Sequence, residues 1–305
     1  MDTTPHPDFM KAGKIAGKVL SMVEKEICPG VPVLKICQLA EEKIIEFGAS
    51  GLAFPCNISI NEEAAHYTSP PNDTKRIPDS GLVKIDIGAH VNGFISDTAL
   101  TVDLDGSYEK FISAAKDALE AAIDTVRPTI HVGDVGRSIE QTIKRYGLRP
   151  VHQLSGHQLK QWTLHAGINV PNVSMKTSPT MNIGEMYAIE PFATNGNGTI
   201  RNSPNAYIFS NDLKNKKKID RPTLRVRNAA RHLFKTLPWA PRWLHGKITG
   251  ADIDVAIKAL VRAGAIHGYP VLIEGKNGMV SQFEHSIFVG PDSAIVSTRR
   301  DNELL

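Results

Sequence analysis

Residues 84–102 read KIDIGAHVNGFISDTALTV, with Asn92-Gly93 between two apolar arms. An Asn-Gly pair flanked by arms of this kind predicts a β-hairpin with a two-residue turn. If these two residues form the turn, Val91 pairs with Phe94, and the pairing of all other residues in the arms follows from that register. The geometry of this hairpin can therefore be predicted in more detail than that of any other part of the chain.

Each arm of this hairpin carries one aspartate. In the predicted register Asp86 faces Ala99, and Asp97 lies diagonally across from Asp86 on the same face of the sheet. Diagonal neighbours are about 7–8 Å apart, which suits two carboxylates that share cations and excludes a salt bridge between them. Either aspartate alone could cap a turn or pair with a surface lysine, but an unpaired carboxylate in a buried strand is costly. A metal site is the favoured interpretation.

The length and composition of the chain indicate a globular protein. The 305 residues are 41% hydrophobic and 22% charged, which fits one large globular domain or one domain with an insert. No apolar run approaches the roughly 20 residues needed to cross a bilayer, and residues 1–5 lack the features of a secretory signal. Cys28, Cys37 and Cys56 have no C-x-x-C spacing and are odd in number, which predicts reduced thiols. We therefore expect a cytoplasmic protein without a membrane span.

The net charge of +3 is unevenly distributed along the chain. Residues 211–247 contain 11 Lys and Arg but only 2 Asp and Glu, a local balance of +9, so the rest of the chain is negative. A cluster of this kind can bind the phosphates of RNA, and it predicts a contact with RNA or the ribosome. A solvated helix face and loop is the alternative interpretation, and the more common one.

The periodicity of apolar residues predicts the same order of elements twice. Helical spacing covers residues 8–27, 33–48, 107–126 and 134–146, and extended patterns cover 52–60, 151–155, 186–193 and 280–290. Two related halves with antiparallel sheet between helices, an α+β fold, are therefore expected.

The stretch from about 200 to 275 interrupts the second half. It contains helical patterns at 223–236 and 251–263, a Pro- and Trp-rich connection, and a short hairpin predicted at Gly275-Lys276-Asn277-Gly278. Helices followed by a hairpin resemble a winged helix. We therefore predict a catalytic domain of residues 1–199 and 276–305 and an inserted basic helical subdomain of residues 200–275.

Three further residues have the chemistry of metal ligands. His157 follows Gly156 at a predicted strand end, Glu190 lies in an apolar strand, and Glu284 lies in a strand that alternates. A lone histidine is more often a surface or core residue, and each glutamate alone could form an ion pair. Four carboxylates and one imidazole together carry a charge of −4, which two divalent cations would neutralise. An oxygen-rich set with one nitrogen suits Mn, Fe, Co or Zn.

These motifs together resemble the methionine aminopeptidases, specifically the type II branch in a short form like the archaeal enzymes. The resemblance covers nearly the whole chain. It rests on Phe54-Pro55, Asn61-x-x-Ala64-Ala65-His66-Tyr67-Thr68, Lys84-Ile85-Asp86-x-Gly88-x-His90 through Asp97, Gly156-His157, His165-Ala166-Gly167, Tyr187-Ala188-Ile189-Glu190 and Gln282-Phe283-Glu284-His285. It implies the pita-bread fold of the M24 metallopeptidases. It also implies that the insert between Glu190 and Glu284, which are 94 residues apart, marks type II.

The resemblance also implies roles for these residues in removing an N-terminal methionine that precedes a small residue. Asp97 and Glu284 would bridge two divalent ions, Asp86 would bind one of them, and His157 with Glu190 would hold the other. Glu190 would also shuttle a proton. His66 and His165 would be catalytic and would donate hydrogen bonds to the oxyanion and the scissile amide. Phe54, Leu164 and Tyr269 would form the slot that binds the methionine side chain. For the slot residues, plain core packing is the alternative.

Type II enzymes as a class are sensitive to fumagillin-type epoxides. Because His66 is assigned outside the set of metal ligands, the resemblance implies that its nucleophilic nitrogen faces the methionine cavity and reacts with such compounds. The substrates implied are N-terminal Met peptides and nascent chains. We expect the chain to act as a monomer.

The sequence departs from the family pattern at two places. Gly81 stands where an acidic residue often precedes the first ligand strand, and Cys56-Asn57 replaces a Thr-Gly-like pair. Neither departure falls on a predicted metal ligand, and any effect is expected in the detail of the pocket wall. A long polybasic N-terminal extension, as in the eukaryotic type II proteins, is absent from this sequence.

Two other functions are compatible with parts of this pattern. Prolidases and aminopeptidases P share the fold and the ligands, but they usually carry a large N-terminal domain, and about 80 residues precede Asp86 here. Non-catalytic relatives that bind RNA or protein lose metal ligands, whereas all five positions are filled in this chain.

Overall fold

The structure is a computed structural model that describes residues 3–300 and 303. Residues 1–2, part of the N-terminal segment considered above, lie outside the described residues. So do residues 301, 302, 304 and 305 of the predicted catalytic domain. Within the described part of the chain, no helix combines the length and the apolar character that crossing a bilayer requires.

The first half contains two helices and four strands. They are α1 (Pro7–Glu24), α2 (Val33–Glu46), β1 (Gly51–Ile60), β2 (Glu63–Ala65), β3 (Leu82–Val91) and β4 (Phe94–Asp103). The strands β1, β3 and β4 form an antiparallel sheet in that order. The apolar faces of the helices cover one side of this sheet, where Leu20 and Ile44 share a buried core with Ile58 and Ile85. The opposite side is free to carry polar residues.

The hairpin of β3 and β4 has the predicted register. Val91 pairs with Phe94 across Asn92-Gly93, and Asp86 pairs with Ala99. Both turn residues have positive φ, 51° at Asn92 and 85° at Gly93, as a type I′ turn requires. The local sequence of the turn is therefore sufficient to place Asp86 and Asp97 on one face.

The second half repeats the order of two helices followed by strands. Its elements are α3 (Glu109–Thr125), α4 (Val132–Arg145), β5 (Arg149–Pro150), β6 (Ser155–Leu159), β7 (Asn169–Pro171), β8 (Met186–Ile189), β9 (Phe192–Thr194), β12 (Val280–Gln282), β13 (His285–Val289) and β14 (Ala294–Val296). Five of these strands form a sheet in the order β14-β13-β8-β6-β7. The prediction of an α+β arrangement with a repeated layout is confirmed.

A short seam joins the two halves. Ala99 of the first half pairs with Glu284 of the second, with N···O distances of 3.0 and 3.4 Å. The Thr98 hydroxyl donates to the Glu284 carbonyl at 2.8 Å, and the Asp97 N–H donates to the Ser286 hydroxyl at 2.7 Å. The seam therefore brings Asp97 and Glu284 together although they are distant in the sequence.

The predicted strands at 186–193 and 280–290 are each divided at a glutamate. β8 ends at Ile189 and β9 begins at Phe192, so Glu190 and Pro191 lie between them. Pro191 has no N–H to donate to a neighbouring strand, which explains the break. Glu284 lies between β12 and β13 because its backbone pairs with Ala99 instead of β8 or β9. Both carboxylates therefore project from points where the sheet changes partner.

The insert consists of two long strands, one before and one after its helices in the sequence. Its elements are β10 (Ile200–Asn211), α5 (Arg221–Phe234), a 3₁₀ turn (Pro241–Trp243), α6 (Ile253–Arg262) and β11 (Ile266–Glu274). β10 pairs antiparallel with β11, and β11 also pairs with β2 of the first half. The insert has its own buried cluster around Trp239 and Leu260.

The hairpin predicted at residues 275–278 is wrong. The strand before it, β11, pairs with β10 and β2, whereas the strand after it, β12, pairs with β9. The residues of this turn instead surround the buried carboxylate of Glu274. That carboxylate accepts backbone N–H groups from two loops at 2.7–3.0 Å, the donors being Asn197, Gly198, Lys276 and Gly278. The turn therefore closes the insert onto the body.

We predict that Glu274→Gln destabilises the fold by about 2–3 kcal/mol near neutral pH, because hydrogen bonds to a charged acceptor are lost and an amide N–H₂ then faces backbone donors. Although burial alone would raise its pKa, the four N–H donors lower the pKa of Glu274 below its ordinary value. The wild-type contribution is therefore complete above the unfolded pKa of ~4.3 and is lost as the pH falls below it. Urea denaturation of both proteins between pH 3 and pH 7 measures this.

An equal difference between the two proteins at all pH values would contradict this account of the Glu274 carboxylate. Glu26→Gln, at an exposed position just after α1, serves as the control and should leave the urea midpoint unchanged.

Candidate active site

A cavity lies where the two halves and the insert meet. Fourteen residues line it, among them all five predicted metal ligands, both predicted catalytic histidines and all three predicted slot residues. They are Phe54, Asn57, Ala65, His66, Asp86, Asp97, His157, Leu164, His165, Glu190, Ile208, Pro238, Tyr269 and Glu284. The structure thus brings the whole predicted set into one place.

The acidic end of the cavity contains a compact set of ligand atoms. One atom each from Asp97, His157 and Glu284 lies within 4.8 Å of the other two. The Nε2 atom of His157 is 3.4 Å from Asp97 Oδ2 and 3.9 Å from Glu190 Oε1. Asp86 faces the same space from β3. Oxygen and imidazole ligands converging in this way suit a divalent transition metal or zinc.

Burial and mutual repulsion make this end of the cavity unfavourable for bare negative charge. Burial, together with the neighbouring carboxylates, raises the pKa of Asp86, Glu190 and Glu284 well above the ordinary values. Burial raises the pKa of Asp97 to about 7 and lowers the pKa of His157 to about 4. A cation bound among these groups would stabilise their charged forms, because opposite charge favours ionised carboxylates.

Unsatisfied oxygens also indicate that these residues fit a metal ion. Asp86 Oδ1, Asp97 Oδ1 and Glu284 Oε1 are buried and have no hydrogen-bond partner among residues 3–300 and 303. Buried polar atoms normally find partners, and each one left without costs about 1–3 kcal/mol. Of the buried atoms around this cavity that lack a described partner, three are carboxyl oxygens, and a bound cation would satisfy oxygens of this kind.

The amide of Gln282 orients two of the carboxylates. Its Nε2 atom lies 3.4 Å from Glu190 Oε2 and 3.2 Å from Glu284 Oε2. Because an amide N–H₂ can donate twice, one side chain holds one oxygen of each glutamate and leaves the other oxygen for a metal.

His66 is held in a strained backbone conformation at the cavity wall. Its φ is 68°, which is uncommon for a residue other than glycine and often marks a functional site. Its Nδ1 atom lies 3.3 Å from the carbonyl oxygen of Pro270. Burial lowers the pKa of His66 to about 4, so the ring is neutral at pH 7. Since a carbonyl can only accept, Nδ1 carries the proton, and Nε2 keeps a lone pair.

This arrangement differs from the expected role of His66 as a hydrogen-bond donor. With its proton on Nδ1, the neutral ring can only accept a hydrogen bond at Nε2, so it suits the N–H of a scissile amide and not an oxyanion. The lone pair that the epoxide expectation requires is present.

The other predicted substrate residues surround the two histidines. The Tyr269 ring contacts His66 edge-on at a centroid distance of 5.7 Å and lies 6.4 Å from His165. The His165 ring is 4.4 Å from that of His157. Phe54 and Leu164 are buried in a small apolar cluster behind them. These residues form an apolar wall beside the acidic end of the cavity.

Four lining residues were not singled out as site residues from the sequence. Ala65 is the last residue of β2 and directly precedes His66. Ile208 and Pro238 belong to the insert, and no local sequence pattern predicts that the insert lies over the cavity. Asn57 lies on β1 directly opposite Asp86. The family departure at Cys56-Asn57 was the one signal that pointed towards this position.

A buried cation attaches the insert to the segment that follows His66. The Arg242 guanidinium donates to the Thr68 hydroxyl at 2.8 Å and to the Ser69 carbonyl at 3.0 Å, and it forms an ion pair with the buried Glu41 of α2. Because Thr68 lies two residues after His66, the insert helps to fix the strained backbone that carries this histidine.

Comparisons with known proteins agree with this geometry. Residues 8–209 match the model of metallopeptidase family M24. The methionine aminopeptidase of Saccharolobus solfataricus is 44% identical over 292 residues, which cover 95% of this chain and 97% of that protein.

Two solved structures show the same fold. That of methionine aminopeptidase from Thermotoga maritima superposes with a TM-score of 0.71 at 20% identity, covering 98% of this chain and 100% of the other. That of a thermophilic Arx1 superposes with a TM-score of 0.83 at 16% identity, covering 95% and 89%. The α+β pita-bread fold expected from the sequence is therefore confirmed. The chain belongs to metallopeptidase family M24, and within it to the methionine aminopeptidases of the type II branch.

Proposed function

We propose that this protein is a methionyl aminopeptidase that removes the N-terminal methionine from nascent proteins and peptides whose second residue is small. The observation that carries the proposal is the cavity itself, in which five metal-ligand side chains adjoin an apolar wall. Membership of the methionine aminopeptidases supports the same activity.

The proposed metal site takes two divalent ions of the Co, Mn, Fe or Zn type. Asp86, Asp97, His157, Glu190 and Glu284 would hold them. When bound, the pair would lower the pKa of a water molecule and polarise the methionine carbonyl.

The remaining steps belong to the side chains of the cavity. Phe54, Leu164 and Tyr269 bind the methionine side chain and exclude water from it. His66 Nε2 accepts a hydrogen bond from the scissile N–H, and His165 donates to the developing oxyanion. The Glu190 carboxylate takes the proton of the attacking water and passes it to the leaving nitrogen, a role that suits a carboxyl whose pKa is raised.

The two alternative functions differ from this proposal in substrate or in turnover. A prolidase or aminopeptidase P would cleave X-Pro peptides, and a non-catalytic relative would cleave neither class. Measuring bound metal together with turnover of Met-Ala-Ser and of X-Pro peptides separates the three.

We also propose the domain division predicted above, with residues 200–275 as the insert of a catalytic domain formed by residues 1–199 and 276–305. The separate buried cluster of the insert supports it. A cytoplasmic monomer acting on nascent chains is part of the same proposal.

The ribosome or RNA contact proposed for residues 211–247 rests on a smaller set of charges than the count of 11 suggests. Arg231 donates to the carbonyls of Asp212 and Asn215, and Arg227 donates to the carbonyl of Lys217. These two guanidiniums brace the loop before α5. Eight basic side chains of the segment are exposed, and six of them lie close together in the sequence before and at the start of α5, namely Lys214, Lys216, Lys217, Lys218, Arg221 and Arg225.

We predict that Glu190→Gln and His157→Ala each reduce hydrolysis of Met-Ala-Ser below a tenth of the wild-type rate at saturating metal, because each removes a ligand and, at Glu190, a proton carrier. Metal content by elemental analysis and the far-UV CD spectrum accompany the assay. His152→Ala is the matched control, since His152 is exposed and does not line the cavity. More than a tenth of wild-type turnover in either variant would refute the ligand assignment.

We predict that a fumagillin-type epoxide alkylates His66 Nε2 and leaves His157 unmodified. The Nε2 lone pair of His66 is available because Nδ1 carries the proton. Peptide mapping by mass spectrometry locates the adduct, and His66→Asn should abolish labelling. An adduct at another residue, or no adduct with active enzyme, would show that His66 is wrongly placed.

We predict that the protein co-sediments with ribosomes at low salt and dissociates steeply as salt rises. Reversing the charges of Lys214, Lys216 and Lys217 should abolish co-sedimentation, because these side chains are exposed. Reversing the equally exposed Lys11, Lys14 and Lys116 changes the net charge by the same amount and should have little effect. Absence of co-sedimentation at low salt, or equal loss in both triple variants, would contradict a specific contact.

A further inference from the structure

Asn57 lies in the same row of the sheet as two predicted metal ligands. Backbone pairing runs from Asn57 to Asp86, from Asp86 to Ala99, and from Ala99 to Glu284. Residues directly opposite each other in adjacent strands project from the same face. The row therefore directs the side chain of Asn57 towards the acidic end of the cavity, which it lines.

The amide of Asn57 has a defined orientation. Its Nδ2 atom donates to the Pro55 carbonyl at 2.9 Å. This bond spans a β-bulge in β1, where the register with β3 shifts between Phe54 and Asn57. With the nitrogen held by the bulge, the oxygen points away from Pro55.

That oxygen has no partner in the described part of the chain. Asn57 is 3% exposed, and its Oδ1 is buried without a hydrogen-bond donor among residues 3–300 and 303. The neighbouring groups in its row, the carboxylates of Asp86 and Glu284, are themselves acceptors when ionised. With those carboxylates ionised, this buried acceptor needs a hydrogen-bond donor or a cation that enters the cavity.

The substrate of the proposed reaction brings such a donor. A peptide with a free N-terminus carries an α-amino group with N–H bonds, next to the methionine side chain that the apolar wall would bind. We propose that Asn57 Oδ1 accepts a hydrogen bond from this α-amino group and so selects peptides whose N-terminus is unblocked. The inference rests on the proposed function and adds a specificity residue to it.

The test compares two ligands that differ only in the amino group. L-Methioninamide carries it, and 4-(methylthio)butanamide lacks it. For wild type and Asn57→Ala, we measure the inhibition constant of each ligand in the hydrolysis of Met-Ala-Ser. Competitive titration gives the metal affinity of both proteins. We expect Asn57→Ala to weaken the amine-bearing ligand about tenfold, the size of one hydrogen bond to a charged group, and to leave the other unchanged. Metal affinity should stay the same.

Asn172 provides a matched control. It is also buried, its Nδ2 donates to the Leu154 carbonyl at 3.0 Å, and its Oδ1 lacks a described partner, but it does not line the cavity. Asn172→Ala should resemble Asn57→Ala in its loss of thermal stability, and it should leave both inhibition constants unchanged.

Three results would overturn the proposal. Equal weakening of both ligands would mean that Asn57 shapes the pocket or holds a water molecule. No change in either inhibition constant would mean that Asn57 Oδ1 does not contact the ligand. A parallel loss of metal affinity would mean that Oδ1 is a metal ligand. If wild-type protein fails to cleave Met-Ala-Ser at all, the proposed function fails, and direct calorimetric binding of the two ligands still tests Asn57.

Discussion

The backbone pairing of Ala99 with Glu284 is the constraint on which the site depends. It is the point where the first-half hairpin meets the second-half strands. A slip of one residue along this seam would turn the Glu284 carboxylate to the other face of the sheet. Hydrogen bonds from Thr98 and Ser286 on either side of the pair oppose such a slip. The two halves thus build one site because a few backbone bonds fix their register.

The same seam concentrates carboxyl groups in a largely buried cavity. Four carboxyl groups with raised pKa values and several unsatisfied oxygens weaken the metal-free fold. The apolar cores around the site must offset this cost. Because a ligand that binds the folded state stabilises it, metal binding in such a site contributes directly to the stability of the fold.

Features that depend on neighbouring residues could be predicted from the sequence, whereas features that depend on residues far apart in the chain could not. Asn92-Gly93 determines the hairpin locally, so the positions of Asp86 and Asp97 were correct in detail. The breaks at Glu190 and Glu284 depend on partners far along the chain, and alternation alone predicted continuous strands there. The turn after Glu274 was misread as a hairpin because its glycines serve a buried carboxylate. Bulges and loop closures of this kind carry no periodic signal.

The ion pair between Glu41 and Arg242 makes the insert difficult to remove. Excising residues 200–275 would leave the Glu41 carboxylate buried beside Cys56 without its cation. It would also take away Tyr269 and the Pro270 carbonyl, on which the tautomer of His66 depends. A minimal form of this enzyme would therefore need a neutral residue at position 41 and a new acceptor for His66. The insert therefore cannot be treated as an independent module, because it supplies part of the cavity wall.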